Sequence, residues 1–505
     1  MFKKHNLEAD AFQEVTEQEL FELSVLFRTR LDSKFQGFEQ IGNLLFDKIF
    51  RNPESKRGLY KEAQKRRTLH LLLVNYYYCF CNSVPLAIPL SSNFYTASGH
   101  SYQDVIAVKT FLEQTGGSQG IKGNRFSRRC GVNWAIGFLA EEFEKFRDDS
   151  NCALEYHPVQ DLVVLKDKDK NRIKFKSSKV TIRSEKLLNK YNKFITNQRV
   201  GISNLIEWSD NLYFSTQSLE YLYNSLCLTI KSIYFPIDQL RSNQPIFLHY
   251  NRIWERLLNK TNKTKQLAAL NSIFHLFALM RFPEVHQLSR MFNNSTIDEG
   301  GRFYWTPIQS LPKELRSAVT INGEETIELD YSCYHTSILY HKEGLEVPVD
   351  PYIHPHGSPL REIMKLILNT ALNIQEDGEC GTSKTIFSVL AEINLRKPRL
   401  RMALQNSTYY RENNKCYYSA LNEMYDELYT YHCPIQKAFC SNEGMKLQRI
   451  DSDIAEEILQ HFTDRQVPVI PIHDSFIVQK TFADDLRQVM KDVYFRRFNK
   501  PIEVK

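Results

Sequence analysis

Two stretches, Glu328-Leu329-Asp330-Tyr331-Ser332 and Pro471-Ile472-His473-Asp474-Ser475, decide how this chain is read. Each sets an aspartate beside apolar residues of strand character, and an ionised carboxylate at the edge of a core needs a cation or strong hydrogen bonds. Two such carboxylates from distant parts of one chain predict strands that converge on a shared divalent-metal site. Phosphoryl transfer requires a site of this kind. Val319-Thr320-Ile321 and Thr326-Ile327-Glu328-Leu329 flank Asn322-Gly323, a strong hairpin signal, which puts Asp330 near the end of a strand. A helix is expected from Ser332 to about Lys342, stopping at Gly344. Residues 467–472 and 476–478 predict a second hairpin with His473-Asp474 at its turn, and Pro468 and Pro471 make its first strand an edge or bent strand. A concluding helix is expected over residues 483–497. Taken singly, Asp330 reads more readily as a helix cap and His473-Asp474 as a plain turn; only their convergence makes a site.

The intervening chain supplies basic residues. Pro359 to Asn373 has helical periodicity, and steps of four from Arg361 give Lys365, Asn369 and Asn373, one polar stripe. Ile363, Met364, Ile367, Leu368 and Ile374 occupy the other faces. A cationic row on an otherwise apolar helix suits a cleft that receives a triphosphate.

Asp-Tyr-Ser, then Arg-x3-Lys on a helix, then His-Asp, in that order, resembles motifs A, B and C of the family A DNA polymerases and single-subunit RNA polymerases. Upstream, Asp298-Glu299-Gly300-Gly301-Arg302-Phe303-Tyr304 is similar to the Asp-x-Arg-Gly-Arg-x-Tyr element of the RNA polymerases, with Gly300 in place of the first arginine and a shorter distance to motif A. The same segments look like uncharacterised proteins of bacterial plasmids and genomic islands. The likeness spans about residues 290–505. It implies an α+β fold with a right-hand palm, an antiparallel sheet with helices, and reduced fingers. It implies that Asp330, Asp474 and the Tyr331 carbonyl hold two Mg²⁺ (or Mn²⁺) ions. Arg361 and Lys365 would bind the nucleotide phosphates, Lys365 also protonating pyrophosphate, with Ser332 beside the incoming nucleotide. His473, Arg302 and Arg316 would hold primer or template backbone. Where the DNA polymerases carry a sugar-sensing glutamate and tyrosine, this chain has His335 and Asn373, either able to hydrogen-bond a 2′-hydroxyl.

Composition fits a folded protein: 505 residues, 42% hydrophobic and 25% charged, enough for two to four domains. A net charge of +6 favours a polyanionic partner through its clusters, Lys65-Arg66-Arg67, Arg125 to Arg129, and the alternating Lys166, Lys168, Lys170, Arg172, Lys174 and Lys176. The ten cysteines lack zinc-site spacing, and the N-terminus lacks an apolar leader, so reduced thiols and a cytoplasmic location are expected. Leu71 to Leu90, broken by Asn75, Asn82, Pro85 and Pro89, reads as core, so no membrane partner is expected.

Four regions are expected: helices over 1–65, a nucleic-acid-binding winged helix over 66–135, a basic hairpin and helical thumb over 136–289, and the catalytic region 290–505. Ser101 to Asp104 resembles a capping box, and the helix it opens precedes a basic hairpin holding Arg125, Arg128 and Arg129. An ordinary surface helix with a solvated loop is the plainer account. Further helices are expected over residues 184–195, 218–233 and 250–282. The function implied is a template-directed nucleotidyltransferase using nucleoside triphosphates on DNA, in replication or defence of a mobile element. The alternatives are a template-independent terminal transferase, and a DNA-binding initiator or repressor with an inactive polymerase-like half.

Overall fold

The computed structural model describes residues 24–50, 59–81, 85–96, 100–125, 128–147, 149, 152–169, 172–202, 280, 282–304, 306–311, 313–355, 357–376, 378–395 and 397–505. The helix expected over 218–233, and all of the one over 250–282 except residues 280 and 282, lie outside them. The fold is mixed α+β with mainly antiparallel sheets.

The N-terminal part contains β1 (Val25–Leu26), β2 (Leu31–Asp32), α1 (Gln36–Phe50), α2 (Leu59–Cys81), β3 (Leu86–Pro89), α3 (Ser92–Thr96), α4 (Tyr102–Gln114), β4 (Ser118–Arg125), β5 (Arg128–Ala135), α5 (Gly137–Arg147) and β6 (Glu155–Tyr156). Its main sheet has the order β1-β3-β5-β4. The apolar run Leu71 to Cys79 lies in α2 with nearly every side chain buried, because this helix is the centre of the N-terminal core. Among the described residues no helix is long and apolar enough to cross a membrane. Asn75, the polar interruption, exchanges hydrogen bonds with the backbone of Arg28: its Oδ1 accepts from the amide at 2.8 Å and its Nδ2 donates to the carbonyl at 3.0 Å. Ser101 caps α4, accepting from the Asp104 amide, and Gly116, at φ 70°, closes it.

The C-terminal part begins earlier than residue 290. Strands β7 (Val163–Lys166) and β8 (Arg172–Ile173) form the expected basic hairpin, but β7 also pairs with β10 (Ser289–Phe292), giving the sheet β11-β10-β7-β8 with β11 at Gly300–Tyr304. After α6 (Lys179–Ile195), β9 (Val200–Ile202) pairs with β12 (Val319–Ile321). The expected boundary at 289/290 therefore cuts two sheets. Lysine-rich strands look like solvated edges in sequence; here β7 is an inner strand with Val163, Val164 and Leu165 buried.

The sheet that matters most has the order β14-β15-β13-β12-β9, with every pairing antiparallel. It comprises β12, β13 (Glu324–Asp330), β14 (Val469–Ile472) and β15 (Ser475–Gln479), and proline-containing β14 is its edge. Asn322 and Gly323, at φ 55° and 83°, make the tight turn between β12 and β13. The helices that follow are α7 (Tyr334–Lys342), α8 (Pro359–Asn373), α9 (Gly378–Leu395), α10 (Pro398–Gln405), α11 (Thr408–Glu412), α12 (Tyr417–Tyr431), α13 (Glu443–Asp464) and α14 (Ala483–Phe498). Leu329, Ile470 and Ile477 from the sheet share one core with Ile458 of α13 and Met490 and Tyr494 of α14. Alternation along β13 sends Leu329 into that core and turns Glu328 and Asp330 to the opposite face.

Candidate active site

Register brings the two aspartates together. Asp330 is the Cα partner of Ser475 across the β13–β15 ladder, so Asp474, in the turn that precedes Ser475, is its neighbour across a strand spacing of about 4.8 Å. Burial and the Asp474 charge push the Asp330 carboxyl up to about 6, opposed by Lys313 and Lys365. Its Oδ1 is buried and accepts no hydrogen bond among the described residues. Ser332 Oγ, Tyr334 Oη and His473 Nδ1 are likewise buried without partners. Buried polar atoms almost always find partners, and four orphans around one pair of carboxylates mark a place built to receive something polar.

The backbone at Asp330 is held by the chain's last strand-like segment. The Asp330 amide donates to Lys505 O at 2.8 Å and the Lys505 amide donates back at 2.9 Å, while the Ser332 amide donates to Glu503 O. Alternation of the ladder then turns the intervening Tyr331 carbonyl to the other edge, the Asp474 side. The Tyr331 ring stacks on Tyr334, centroids 4.3 Å apart, and its hydroxyl donates to Met490 O. Among the described residues no three His, Cys, Asp or Glu side chains gather as a ligand set. The donors present are two carboxylates and one carbonyl, which suits a cation such as Mg²⁺ that keeps water and phosphate in its shell.

On α8, Arg361, Lys365, Asn369 and Asn373 share the outer stripe while Ile363, Met364, Ile367 and Leu368 are buried. Lys365 is exposed, has no ion-pair partner among the described residues, and its charge reaches Asp330. Arg361 is otherwise engaged. Its Nε donates to both oxygens of Asp350 at 3.2 Å and its guanidinium lies over the Tyr352 ring. Asn373 donates to Asn369 O and abuts Gly444, where a Cβ would come within 2.2 Å of its Oδ1, so glycine lets α8 meet the start of α13.

Both arginines near the sheet that were expected to hold nucleic acid, Arg302 and Arg316, are committed within the protein. Arg302 makes a two-pronged pair with buried Asp451, Nη2 to Oδ2 at 2.5 Å and Nε to Oδ2 at 3.1 Å. Arg316 grips Glu328 through Nε and Nη2, both at 2.8 Å, and donates to Leu311 O. Burial pushes the Glu328 carboxyl up, but Arg316 and the Ser475 hydroxyl hold it below its ordinary value. Thus one carboxylate beside Asp330 is neutralised by an arginine, and among the described residues Asp330 has no such partner. His335 Nε2 lies 3.1 Å from the same Asp451. Sequence reading missed Asp451. Its signal was the polar run Asp451-Ser452-Asp453 on an amphipathic helix whose other inward residues are mostly apolar.

His473 stands in the turn at φ 65°, left-handed backbone that costs a non-glycine residue roughly 1 kcal/mol. Its ring meets Tyr304 at 5.3 Å, and burial, then the Arg302 charge, hold its pKa below the ordinary histidine value despite Asp474 and Asp451. Strain kept beside two carboxylates suggests use. His473→Gly is expected to raise stability by about 1 kcal/mol by relieving this strain. Denaturant unfolding checks this, and an unchanged or lower stability would show that the buried ring contributes more than the backbone costs.

Arg125, Arg128 and Arg129 are elsewhere, at the end of the β4–β5 hairpin in the N-terminal sheet, where Arg125 pairs with Arg128 and Asn124 with Arg129. No protein-family model matches the chain, and no curated protein matches it.

Proposed function

We propose that this chain is a nucleotidyltransferase that adds nucleotides to a 3′-hydroxyl, directed by a DNA template, in replication or defence of a mobile element. The carrying observation is the Asp330–Asp474 pair: two adjacent carboxylates, one with a buried oxygen that has no partner among the described residues, within electrostatic reach of Lys365, which has no ion-pair partner among them. The antiparallel sheet backed by α13 and α14 supports a palm, and α8 to α12 occupy the sequence position of fingers. Asp330, Asp474 and the Tyr331 carbonyl would hold Mg²⁺ or Mn²⁺. Bound there, the ions supply acidification of the attacking hydroxyl and neutralisation of the triphosphate.

The chain's own residues do the rest. Lys365 draws the triphosphate to the mouth of the site and donates a proton to the departing pyrophosphate. Arg361 joins it by exchanging Asp350 for phosphate, a swap between two anionic partners of one planar fork. Ser332 Oγ and His473 Nδ1 bring free hydrogen-bonding capacity to the nucleotide and primer end.

The test is an incorporation assay with Mg²⁺, deoxy- and ribonucleoside triphosphates offered separately, and primed, unprimed and template-free substrates. Template-dependent extension is expected. Growth on single strands irrespective of template would replace the proposal with a terminal transferase. Lys365→Ala is expected to lower incorporation about a hundredfold, near 3 kcal/mol of transition-state stabilisation, measured as kcat/KM for the nucleotide. A change confined to less than threefold would remove Lys365 from the reaction.

A further inference from the structure

We propose that the N-terminal part carries a second nucleic-acid site, separate from the Asp330 sheet, that binds B-form duplex DNA with α4 in the major groove and the β4–β5 hairpin over flanking phosphate. Element order comes first. Helix α2, strand β3, short helix α3, helix α4 and hairpin β4–β5 follow one another, with β3, β5 and β4 adjacent and antiparallel. That is the order of a winged helix-turn-helix, in which the helix before the hairpin is the one presented to DNA.

The faces of α4 agree with this use. Val105, Val108 and Leu112 are buried against the core. The opposite stripe, Gln103, Ala107, Thr110 and Gln114, lines an open groove beside Lys48. Glutamine and threonine are residues that hydrogen-bond base edges, and this stripe carries no acid to repel phosphate. The one acid late in the helix, Glu113, is turned inward, accepting from Lys109 Nζ at 2.6 Å and Asn133 Nδ2 at 2.7 Å.

That inward network also sets helix against hairpin. Lys109 is buried on α4 and Asn133 on β5, so their shared carboxylate ties the two elements together. Glycine at 120 and 131 makes room for it: a Cβ at Gly131 would lie 2.5 Å from Lys109 Cε, and one at Gly120 would lie 1.7 Å from Asn133 Nδ2. Strands β4 and β5 contain Lys122, Arg125, Arg128 and Arg129 and no acidic residue. A cationic pair of strands beside a neutral, hydrogen-bonding helix stripe matches phosphate flanking an open groove. The deep, narrow major groove of A-form RNA would not admit α4.

The experiment is fluorescence anisotropy of the full chain with a labelled 30-base-pair duplex of mixed sequence, in EDTA and without nucleotide so that the catalytic metals are absent. Binding is expected to weaken with salt at a log–log slope of about −3 to −4, roughly −0.9 for each phosphate contacted. Arg128→Glu with Arg129→Glu should weaken binding at least tenfold and flatten the slope by about 2. Thr110→Glu should also cost at least tenfold, with circular dichroism unchanged; should Thr110→Glu lose helicity, Gln103→Glu takes its place under the same criterion. Wild-type binding by these variants overturns the proposal. So does tighter binding of duplex RNA or single strands, or a Lys365→Glu protein that loses duplex binding while the hairpin variants keep it. Incorporation at the Asp330 site is a separate readout, so either reading can fail without the other.

Discussion

Asp330→Asn is expected to abolish nucleotide incorporation while making the metal-free protein more stable. An aspartate kept for structure would behave in the opposite way. In the fold Asp330 is pushed from 3.8 up to about 6 by burial and then by Asp474, so its ionised form is disfavoured. A raised carboxyl contributes stability that is fully present below its unfolded pKa, about 3.8, and is lost as pH rises through about 6. At pH 7.5 the metal-free wild type thus carries a cost of about 3 kcal/mol, which asparagine removes. Divalent metal at saturating concentration reverses the order: an ion bound only by the folded protein stabilises it by about 4.1 kcal/mol at a thousand times its dissociation constant, and the variant forfeits nearly all of that. Denaturant unfolding of both proteins, with EDTA and with Mg²⁺, reads this crossing directly. Incorporation should fall at least a thousandfold, about 4 kcal/mol. A variant that incorporates normally, or a wild type whose stability ignores Mg²⁺ and Mn²⁺, would end the two-metal reading.

Arg290→Met is expected to cost about 3 kcal/mol of stability. The guanidinium is fully buried. Its Nε donates to Gly301 O at 2.8 Å, Nη1 to Ser184 Oγ at 2.9 Å, and Nη2 to Ser452 Oγ at 3.0 Å and Asp453 Oδ1 at 2.8 Å. It also pairs with buried Glu456 at 3.0 Å. Removing it strands part of two inward carboxylates, although Arg449 and Arg497 still reach Asp453 and Arg183 still reaches Glu456. The remaining cations put the loss at the low end of the range for breaking a buried pair. Chemical denaturation followed by tryptophan fluorescence and circular dichroism measures it, and a loss under 1 kcal/mol would show that the network is redundant. Ser452 adjoins Asp451, which holds Arg302 and His335, so the same variant should loosen the floor of the site and lower incorporation as well.

Much of the site's frame was legible in local sequence. The Asn-Gly turn, the alternation of β13, the apolar spacing of α8 and the serine cap of α4 each follow from preferences that act over fewer than ten residues. They emerge at Asn322-Gly323, Glu324–Asp330, Pro359–Asn373 and Ser101. The stripe Arg361, Lys365, Asn369 and Asn373 was likewise readable, because one helical turn fixes which residues share a face.

What each charge does there was decided only in three dimensions. Arg302, Arg316 and Arg361 read as three cations free for phosphate, and each has a carboxylate partner in the fold: Asp451, Glu328 and Asp350. Lys365, indistinguishable from them in sequence, is the one of these four without an ion-pair partner among the described residues. The pairing of β7 with β10 and of β9 with β12 joins residues more than a hundred positions apart and redraws the expected domain boundary. Local periodicity states which face a residue occupies. Electrostatic energy depends on which distant side chain that face meets and on how much water lies between them, and this protein settled both only when its sheets closed.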